Sequence, residues 1–178
     1  SLILALSLLF SFSSCKDEGT EETTSEYEEM TEAVIPGGSI SVPYSSEDSL
    51  NPYYCTTVLN NALTSLIYRS LYRLDTSFTA VRELAASESL SGLFLKVFIT
   101  PDLVFSDNGM LTADDVVYSF ECAKKSKIYS PALDGITSCT AEDTYTVVFS
   151  LKSEDVNVLN SLIFPIVKNS TAGSVKKV

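Results

Sequence analysis

The chain has 178 residues, a formal net charge of −11 and no histidine. This length allows one domain with a sizeable core. The negative charge argues against a nucleic-acid partner, because phosphate binding needs clustered Lys and Arg. Without histidine, the His-based hydrolase triads and the usual zinc ligand are excluded. We therefore expect neither an enzyme nor a cofactor or metal site.

Residues 1–14 are uncharged and rich in Leu and Phe. A membrane-spanning helix needs about 20 apolar residues, so this shorter run is typical of the apolar part of a secretory signal. It ends in Phe12-Ser13-Ser14-Cys15, which resembles the bacterial lipoprotein signal. We expect residues 1–15 to be a lipoprotein signal segment, clipped at its N-terminus, with Cys15 as the lipidated residue. A plain cleaved signal, in which Cys15 has no role, is the alternative.

Residues 16–36 contain many acidic side chains among Thr, Ser and Gly. Such a segment cannot bury enough apolar surface to offset the entropy of ordering, and like charges extend it. It predicts an acidic disordered tether that spaces the rest of the chain from a membrane surface. A solvated tail without an anchor is the alternative.

The folded part is expected over residues 37–178. Ile40, Val42 and Tyr44 alternate with polar residues and Pro43, which predicts a short edge strand. A helix of about four turns follows, because apolar residues recur at helical spacing. Thr56 or Thr57 is its expected N-cap. Its apolar positions are Leu59, Leu63, Leu66, Ile67 and Leu71.

In the second half of the chain, apolar runs predict strands at residues 92–99 and 103–105. A helix is predicted next, with its first turns in residues 111–121. Thr112 and Asp115 have the spacing of a capping box. An alternating strand is predicted at residues 145–151 and a last helix at residues 156–163, which Pro165 ends. This order of elements indicates an α+β fold, of mixed α/β type.

Four sequence blocks, in this order, carry a resemblance to a known family. They are residues 49–53, residues 66–72, residues 105–107 leading into 111–121, and residues 142–152 with 164–167. Together they resemble the family 5 solute-binding proteins of bacterial ABC importers, the oligopeptide, dipeptide and nickel-binding class. The resemblance implies a partial first lobe of a two-lobed, class II periplasmic-binding-protein-like fold, with the second lobe missing.

The resemblance also implies a function. It predicts an extracytoplasmic lipoprotein, held at the cell membrane by its lipid, that captures a short peptide or a related small solute for an ABC permease. The chain would hold the start of the first lobe and the small subdomain that follows it. We expect such a fragment to bind weakly or not at all, because closure of two lobes supplies much of the pocket.

Four residues can be carried over as ligand-binding candidates. In the family, the residues after the Asn-Pro motif run beside a bound peptide and offer it backbone hydrogen bonds, in the manner of an added strand. Here these are Thr56, Thr57 and Val58, for which the N-cap and first turn of the next helix is the alternative role. Tyr129 resembles a family tyrosine that faces the cleft; an ordinary half-buried loop tyrosine is its alternative.

Other interpretations stay open at this point. A surface adhesin or structural lipoprotein without a small ligand is the main alternative. A carboxylate-based glycosidase needs a facing pair of acids, whereas Asp114 and Asp115 are adjacent at a helix start and point apart. Of the remaining cysteines, Cys122 and Cys139 are the favoured pair for a disulfide, while buried free thiols are the default for all three, Cys55 included.

Overall fold

A four-stranded antiparallel sheet, covered by one helix, organises the part of the chain that the computed structural model describes, residues 37–169. Residues 41–169 belong to one compact unit. The signal segment with Cys15 and the tether were predicted for residues 1–36 and lie outside the described residues. Among residues 37–169, no helix has the length and apolar content needed to cross a bilayer.

The elements follow in chain order. The chain forms α1 (Val58–Ile67), a small hairpin of β1 (Tyr72–Leu74) and β2 (Ala80–Arg82), and then β3 (Ala85–Ser91) and β4 (Phe94–Ile99). After these come α2 (Ala113–Lys125), β5 (Ile136–Asp143), β6 (Thr146–Leu151) and a short 3₁₀ helix, Val158–Ser161. The large sheet has the strand order β3-β4-β6-β5, with every neighbouring pair antiparallel.

The core lies between α2 and one face of the large sheet, with α2 lying over β5 and β6. Leu95, Val97 and Ile99 alternate with exposed or half-buried residues along β4, so one face of the sheet is apolar and buried. From α2, Val116 and Phe120 pack onto that face, and the Phe120 ring meets the Phe149 ring edge-on at a centroid distance of 5.9 Å. The helix therefore presents an apolar face to the sheet.

The capping box predicted for α2 is confirmed. Thr112 is the N-cap, and the Asp115 carboxylate accepts hydrogen bonds from the Thr112 backbone N–H at 2.8 Å and from its hydroxyl at 2.9 Å. Because the carboxylate reaches back over the first turn, it fixes the point at which the helix begins.

Three predicted elements differ in the structure. Residues 40–44 form no strand; their apolar side chains are exposed, and no strand among residues 37–169 lies beside them to complete a ladder. The strand predicted at residues 103–105 is reduced to one bridge between Val104 and Met110. The last helix is a single 3₁₀ turn.

The apolar prediction for α1 was wrong in two respects: Leu59, Leu66 and Ile67 point outward, and the helix ends at Ile67, so that the buried Leu71 lies beyond it. Leu66 is 77% exposed, Ile67 is 57% exposed, and the residues that α1 buries are Asn60 and Thr64. The reason is hydrogen bonding: the Asn60 side chain accepts from the Ser45 N–H at 2.8 Å and donates to the carbonyls of Ser45 and Ser49. The preceding loop is therefore tied to the polar face of the helix.

A C-terminal segment, residues 163–169, ties distant parts of the unit together. The Ile166 N–H donates to the Arg69 carbonyl at 2.8 Å, and the Val167 N–H donates to the buried Ser119 hydroxyl in α2 at 2.9 Å. The Asn169 N–H donates to Asp115 at 2.8 Å. The loop after α1 and the start of α2 are thus both hydrogen-bonded to the backbone of the C-terminal segment.

Candidate functional site

The loop before α1 is organised by the carboxylate of Asp48. It accepts hydrogen bonds from the Thr57 hydroxyl at 2.7 Å and the Thr57 backbone N–H at 2.8 Å. It also accepts from the backbone N–H of Thr56 at 3.0 Å and from the Thr56 hydroxyl at 3.2 Å. The hydrogen bonds from the Thr57 hydroxyl and backbone hold the pKa of Asp48 well below its usual range, because they stabilise the charged form.

The three candidate residues after the Asn-Pro motif lie at the beginning of α1. Thr57 is the N-cap, and its hydroxyl accepts a hydrogen bond from the Asn60 N–H at 3.3 Å. Thr56 is exposed just before the cap, and Val58, 87% exposed, is the first helical residue. The N-cap and first-turn geometry is therefore present, and contact with a ligand stays a prediction for all three residues.

The Ser49–Tyr53 stretch folds through local hydrogen bonds that explain its composition. The Ser49 hydroxyl accepts from the Asn51 N–H at 2.9 Å, and the Asn51 side-chain oxygen accepts from the Tyr53 N–H at 2.9 Å. Asn side chains form turns of this kind readily, and Pro52 suits the same conformation. The turn delivers Tyr53 to the interior and Thr56 to the surface.

Tyr129 lies against this same loop. Its ring meets the Tyr53 ring edge-on, with centroids 5.7 Å apart and planes at 74°. The buried Tyr53 hydroxyl donates to the Pro165 carbonyl, which anchors the pair to the C-terminal segment. Burial raises the pKa of both tyrosines, so both stay neutral. The structure thus brings Tyr129 next to the loop that carries Thr56, across more than seventy residues of sequence.

Two further tyrosines, which we did not predict, extend this aromatic surface. Tyr54 is 68% exposed, and Tyr118 in α2 is half-buried. Burial, and then a hydrogen bond with Cys122, raise the pKa of Tyr118 to about 12. The position of Tyr54 directly after Asn-Pro-Tyr was a usable signal, whereas nothing in the pattern of α2 distinguished Tyr118 from a packing residue.

This surface has the chemistry of a binding site. The exposed Tyr54 ring and the half-buried Tyr118 and Tyr129 rings offer flat apolar area with a polar edge, and the loop offers backbone groups. Cys55, Cys122 and Cys139 are all free thiols, so the favoured Cys122–Cys139 pair is not formed. Burial raises the pKa of Cys55 and raises that of Cys139 to about 12, so neither is an activated nucleophile. The part of the chain that the structure describes holds no His, Cys, Asp and Glu grouping suited to a metal ion.

Aromatic rings beside backbone polar groups are typical of surfaces that bind small ligands. A family model described as "Bacterial extracellular solute-binding proteins, family 5 Middle" matches residues 79–177. The chain belongs to family 5 of the bacterial extracellular solute-binding proteins, and the resemblance carried by the four sequence blocks is confirmed.

Individual relatives agree with the family. The oligopeptide-binding protein AppA of Bacillus subtilis is 27% identical over 170 residues, which is 92% of this chain and 30% of AppA. This chain therefore spans about 30% of the length of that curated relative.

Solved structures share the fold over part of their length. AppA of B. subtilis, in complex with a nonapeptide, is 28% identical with a TM-score of 0.58, over 78% of this chain and 28% of AppA. MoaA of A. tumefacien R10, in complex with mannopinic acid, is 29% identical with a TM-score of 0.60, over 70% of this chain and 29% of MoaA. NikZ of Campylobacter jejuni, in complex with Ni(L-His), is 25% identical with a TM-score of 0.58, over 70% of this chain and 26% of NikZ. The predicted α+β fold class of mixed α/β type is confirmed, because the chain matches part of the fold of family 5 solute-binding proteins.

Proposed function

We propose that this chain contributes to an extracytoplasmic solute-binding protein that captures short peptides for an ABC importer. Membership of the family supports a solute-binding role, and the peptide class is favoured because AppA is named for oligopeptides and was solved with a nonapeptide. The observation that carries the proposal is the packing of Tyr129 on Tyr53 beside the Thr56–Val58 loop. Two segments expected to touch the ligand thereby share one surface.

In this proposal, the ligand lies along the loop at residues 56–58 with its side chains against the tyrosines. An extended peptide suits the surface, because backbone groups accept any peptide and aromatic faces accept many side chains. A second lobe closes over the ligand from the other side, since the relatives with bound ligands are considerably longer than this chain.

The binding proposal can be tested in a chimera in which this chain replaces the matching part of AppA. We expect calorimetry to detect binding of nonapeptides by the chimera and negligible heat for the 178-residue chain alone. Tyr129→Ala should weaken peptide binding by the chimera about tenfold, because aromatic contacts contribute on the order of 1 kcal/mol and more when buried. Tyr145→Ala, which changes a half-buried tyrosine in the turn between β5 and β6, is the matched tyrosine control. A folded chimera that binds no peptide, sugar or metal chelate would overturn the proposal.

We also propose that Cys15 is lipidated and that residues 16–36 form the tether to the membrane. The arrangement of a small-residue stretch, a cysteine and an acidic spacer supports this. Bacterial cells that express the chain and are fed an alkyne-tagged fatty acid should attach this fatty acid to the protein. Cys15→Ser should abolish the label. Cys55→Ser should leave it unchanged. Equal labelling of the Cys15→Ser variant would contradict the anchor.

A further inference from the structure

The turn at Asn108-Gly109 is not among the residues of the proposed binding surface, and it is the one Asn-Gly pair in the sequence. Backbone hydrogen bonds close it: the Asn108 N–H donates to the Phe105 carbonyl at 2.9 Å, and the Phe105 N–H donates to the Gly109 carbonyl at 2.8 Å. Asn108 is exposed and has a φ of 63°, a left-handed conformation that Asn adopts more readily than most residues. A residue open to solvent thus lies in a turn of fixed geometry.

An Asn-Gly pair has a specific chemical reactivity. The backbone nitrogen of the glycine attacks the side-chain carbonyl carbon of the asparagine, because glycine has no Cβ to obstruct the approach. The new C–N bond closes a five-membered succinimide, the C–N bond of the side-chain amide breaks, and the backbone proton leaves with that nitrogen as ammonia. Water then opens the ring to aspartate or to isoaspartate, in which the backbone runs through the side chain. Water is the only other reactant.

In the folded chain, the carboxylate of Asp107 holds the attacking nitrogen. The Gly109 N–H donates to the Asp107 Oδ1 at 2.9 Å, and the Lys168 Nζ donates to Oδ2 of the same carboxylate at 2.6 Å. The hydrogen bond from Lys168, and then that from the Gly109 N–H, hold the pKa of Asp107 below its usual range, so this carboxylate is charged at neutral pH. The nitrogen must lose its proton to attack, and a negative charge beside it disfavours that loss.

The C-terminal segment covers the same turn. Besides its ion pair with Asp107, Lys168 lies so close to Gly109 that a Cβ on the glycine would clash with the Lys168 ammonium group. The neighbouring N–H groups of Val167 and Asn169 donate to side chains of α2. Isoaspartate would lengthen the backbone of this turn by one atom and add a negative charge next to Asp107. The chemical state of the turn and the attachment of the segment therefore depend on each other.

We propose that Asn108 is a deamidation site that Asp107 restrains in the folded chain, and that its reaction is coupled to release of the C-terminal segment. While the Asp107 carboxylate binds the Gly109 N–H and Lys168, Asn108 reacts slowly. When the segment detaches, the turn opens and the succinimide forms. The isoaspartate that follows cannot restore the original hydrogen bonds of the turn, so the release becomes permanent.

Deamidation is measured on the 178-residue chain at mildly alkaline pH. Trypsin releases residues 97–124, in which Asn108 is the one amide side chain, so the mass change from loss of ammonia and gain of water reports this residue alone. Methylation by an isoaspartate methyltransferase identifies the isoaspartate product. We expect Asp107→Ala to deamidate about tenfold faster than the wild type, because the attacking nitrogen loses a hydrogen bond to a charged group. In urea, which opens the turn, both chains should react at the same, faster rate.

Two variants serve as controls for the restraint. Asp143→Ala removes a carboxylate that accepts the same kind of hydrogen bond, from the Tyr145 N–H at 2.8 Å, in the turn between β5 and β6. It should deamidate at the wild-type rate. Asn108→Gly, which suits the left-handed conformation, should give no product. A folded wild type that reacts as fast as in urea, or equal acceleration by Asp143→Ala and Asp107→Ala, would overturn the inference.

The coupling to the C-terminal segment has its own test. Ser119→Ala removes the acceptor of the Val167 N–H in α2 and leaves the sequence of the turn unchanged. We expect Asn108 to deamidate faster in this variant, because the segment that carries Lys168 detaches more often. Ser65→Ala, in an exposed position of α1, is the matched control and should react like the wild type. Circular dichroism verifies that each variant is folded, and a folded Ser119→Ala variant that reacts at the wild-type rate would overturn the coupling.

Discussion

The buried hydroxyl of Ser119 accepts a hydrogen bond of 2.9 Å from the backbone N–H of Val167, which lies 48 residues later in the chain. The same hydroxyl donates to the Asp115 carbonyl at 2.6 Å, so Ser119 joins α2 to the C-terminal segment through one atom. The contact matters because both partners are removed from water.

Ser119→Ala would leave the Val167 N–H buried without its acceptor. We expect the free energy of unfolding to fall by about 1 to 3 kcal/mol, measured by urea denaturation. Ser65→Ala is the control, because Ser65 is exposed and donates only to the Ala62 carbonyl of its own helix. It should change stability by less than about 0.5 kcal/mol. Equal losses in the two variants would contradict the structural role of Ser119.

The outward apolar face of α1 gives a second prediction. Asn60→Ala should destabilise the chain by about 1 to 3 kcal/mol, because three hydrogen bonds to the loop are lost at a buried position. Leu66→Ala should cost less than about 0.5 kcal/mol, since the side chain is 77% exposed. Thermal unfolding of both variants measures the difference. A larger loss for Leu66→Ala would mean that the helix packs through its apolar face.

The capping box of α2 gives a third prediction. Thr112→Ala and Asp115→Ala should each lower the free energy of unfolding by about 1 to 2 kcal/mol, because the helix loses its cap. In the AppA chimera, neither change should alter the ligand preference. Asp114→Ala is the matched control, because Asp114 is adjacent to Asp115 but exposed, and it should lower the free energy of unfolding by less. Chemical denaturation and peptide calorimetry separate the two properties.

The lowered pKa of Asp48 predicts a particular pH dependence. A carboxylate whose pKa is depressed by folding stabilises the folded state above its unfolded pKa, and this contribution is lost as the pH falls. The stability difference between the wild type and Asp48→Asn should therefore be constant from neutral pH to the ordinary aspartate value of 3.8 and should shrink below it. Urea denaturation over this range measures the difference. A difference that grows on acidification would contradict the hydrogen bonds to Thr57.

Thiol reactivity offers a fifth prediction. Cys139 is buried, and burial followed by the nearby Glu121 charge raises its pKa to about 12. Iodoacetamide at mildly alkaline pH should therefore spare Cys139 in the folded chain and modify the half-buried Cys122 first, because the thiolate is the reactive form. Peptide mapping by mass spectrometry identifies the modified residues. Unfolding in urea should make the modification rates of Cys122 and Cys139 similar. Rapid modification of Cys139 in the folded chain would show that its environment is open.

The sequence alone was sufficient for the elements whose signals are local. The capping box of Thr112 and Asp115 lies within four residues, and the alternation of Val147, Phe149 and Leu151 lies within five, so neighbouring residues were enough to predict α2 and β6. These local signals, in their order, were also enough to indicate the family.

Only the tertiary structure decided which groups lie together and which faces are buried. The apolar stripe of α1 predicted burial, yet Asn60 takes the inside because its side chain can satisfy the backbone of Ser45, a contact that periodicity does not encode. Asp48 was not predicted, because its hydrogen bonds to Thr56 and Thr57 cross a loop of several residues. The meeting of Tyr53 with Tyr129 depends on the packing of distant segments. Local sequence thus determined α2 and the central strands β4 and β6, whereas the aromatic surface beside the loop exists only once long-range hydrogen bonds and ring contacts have formed.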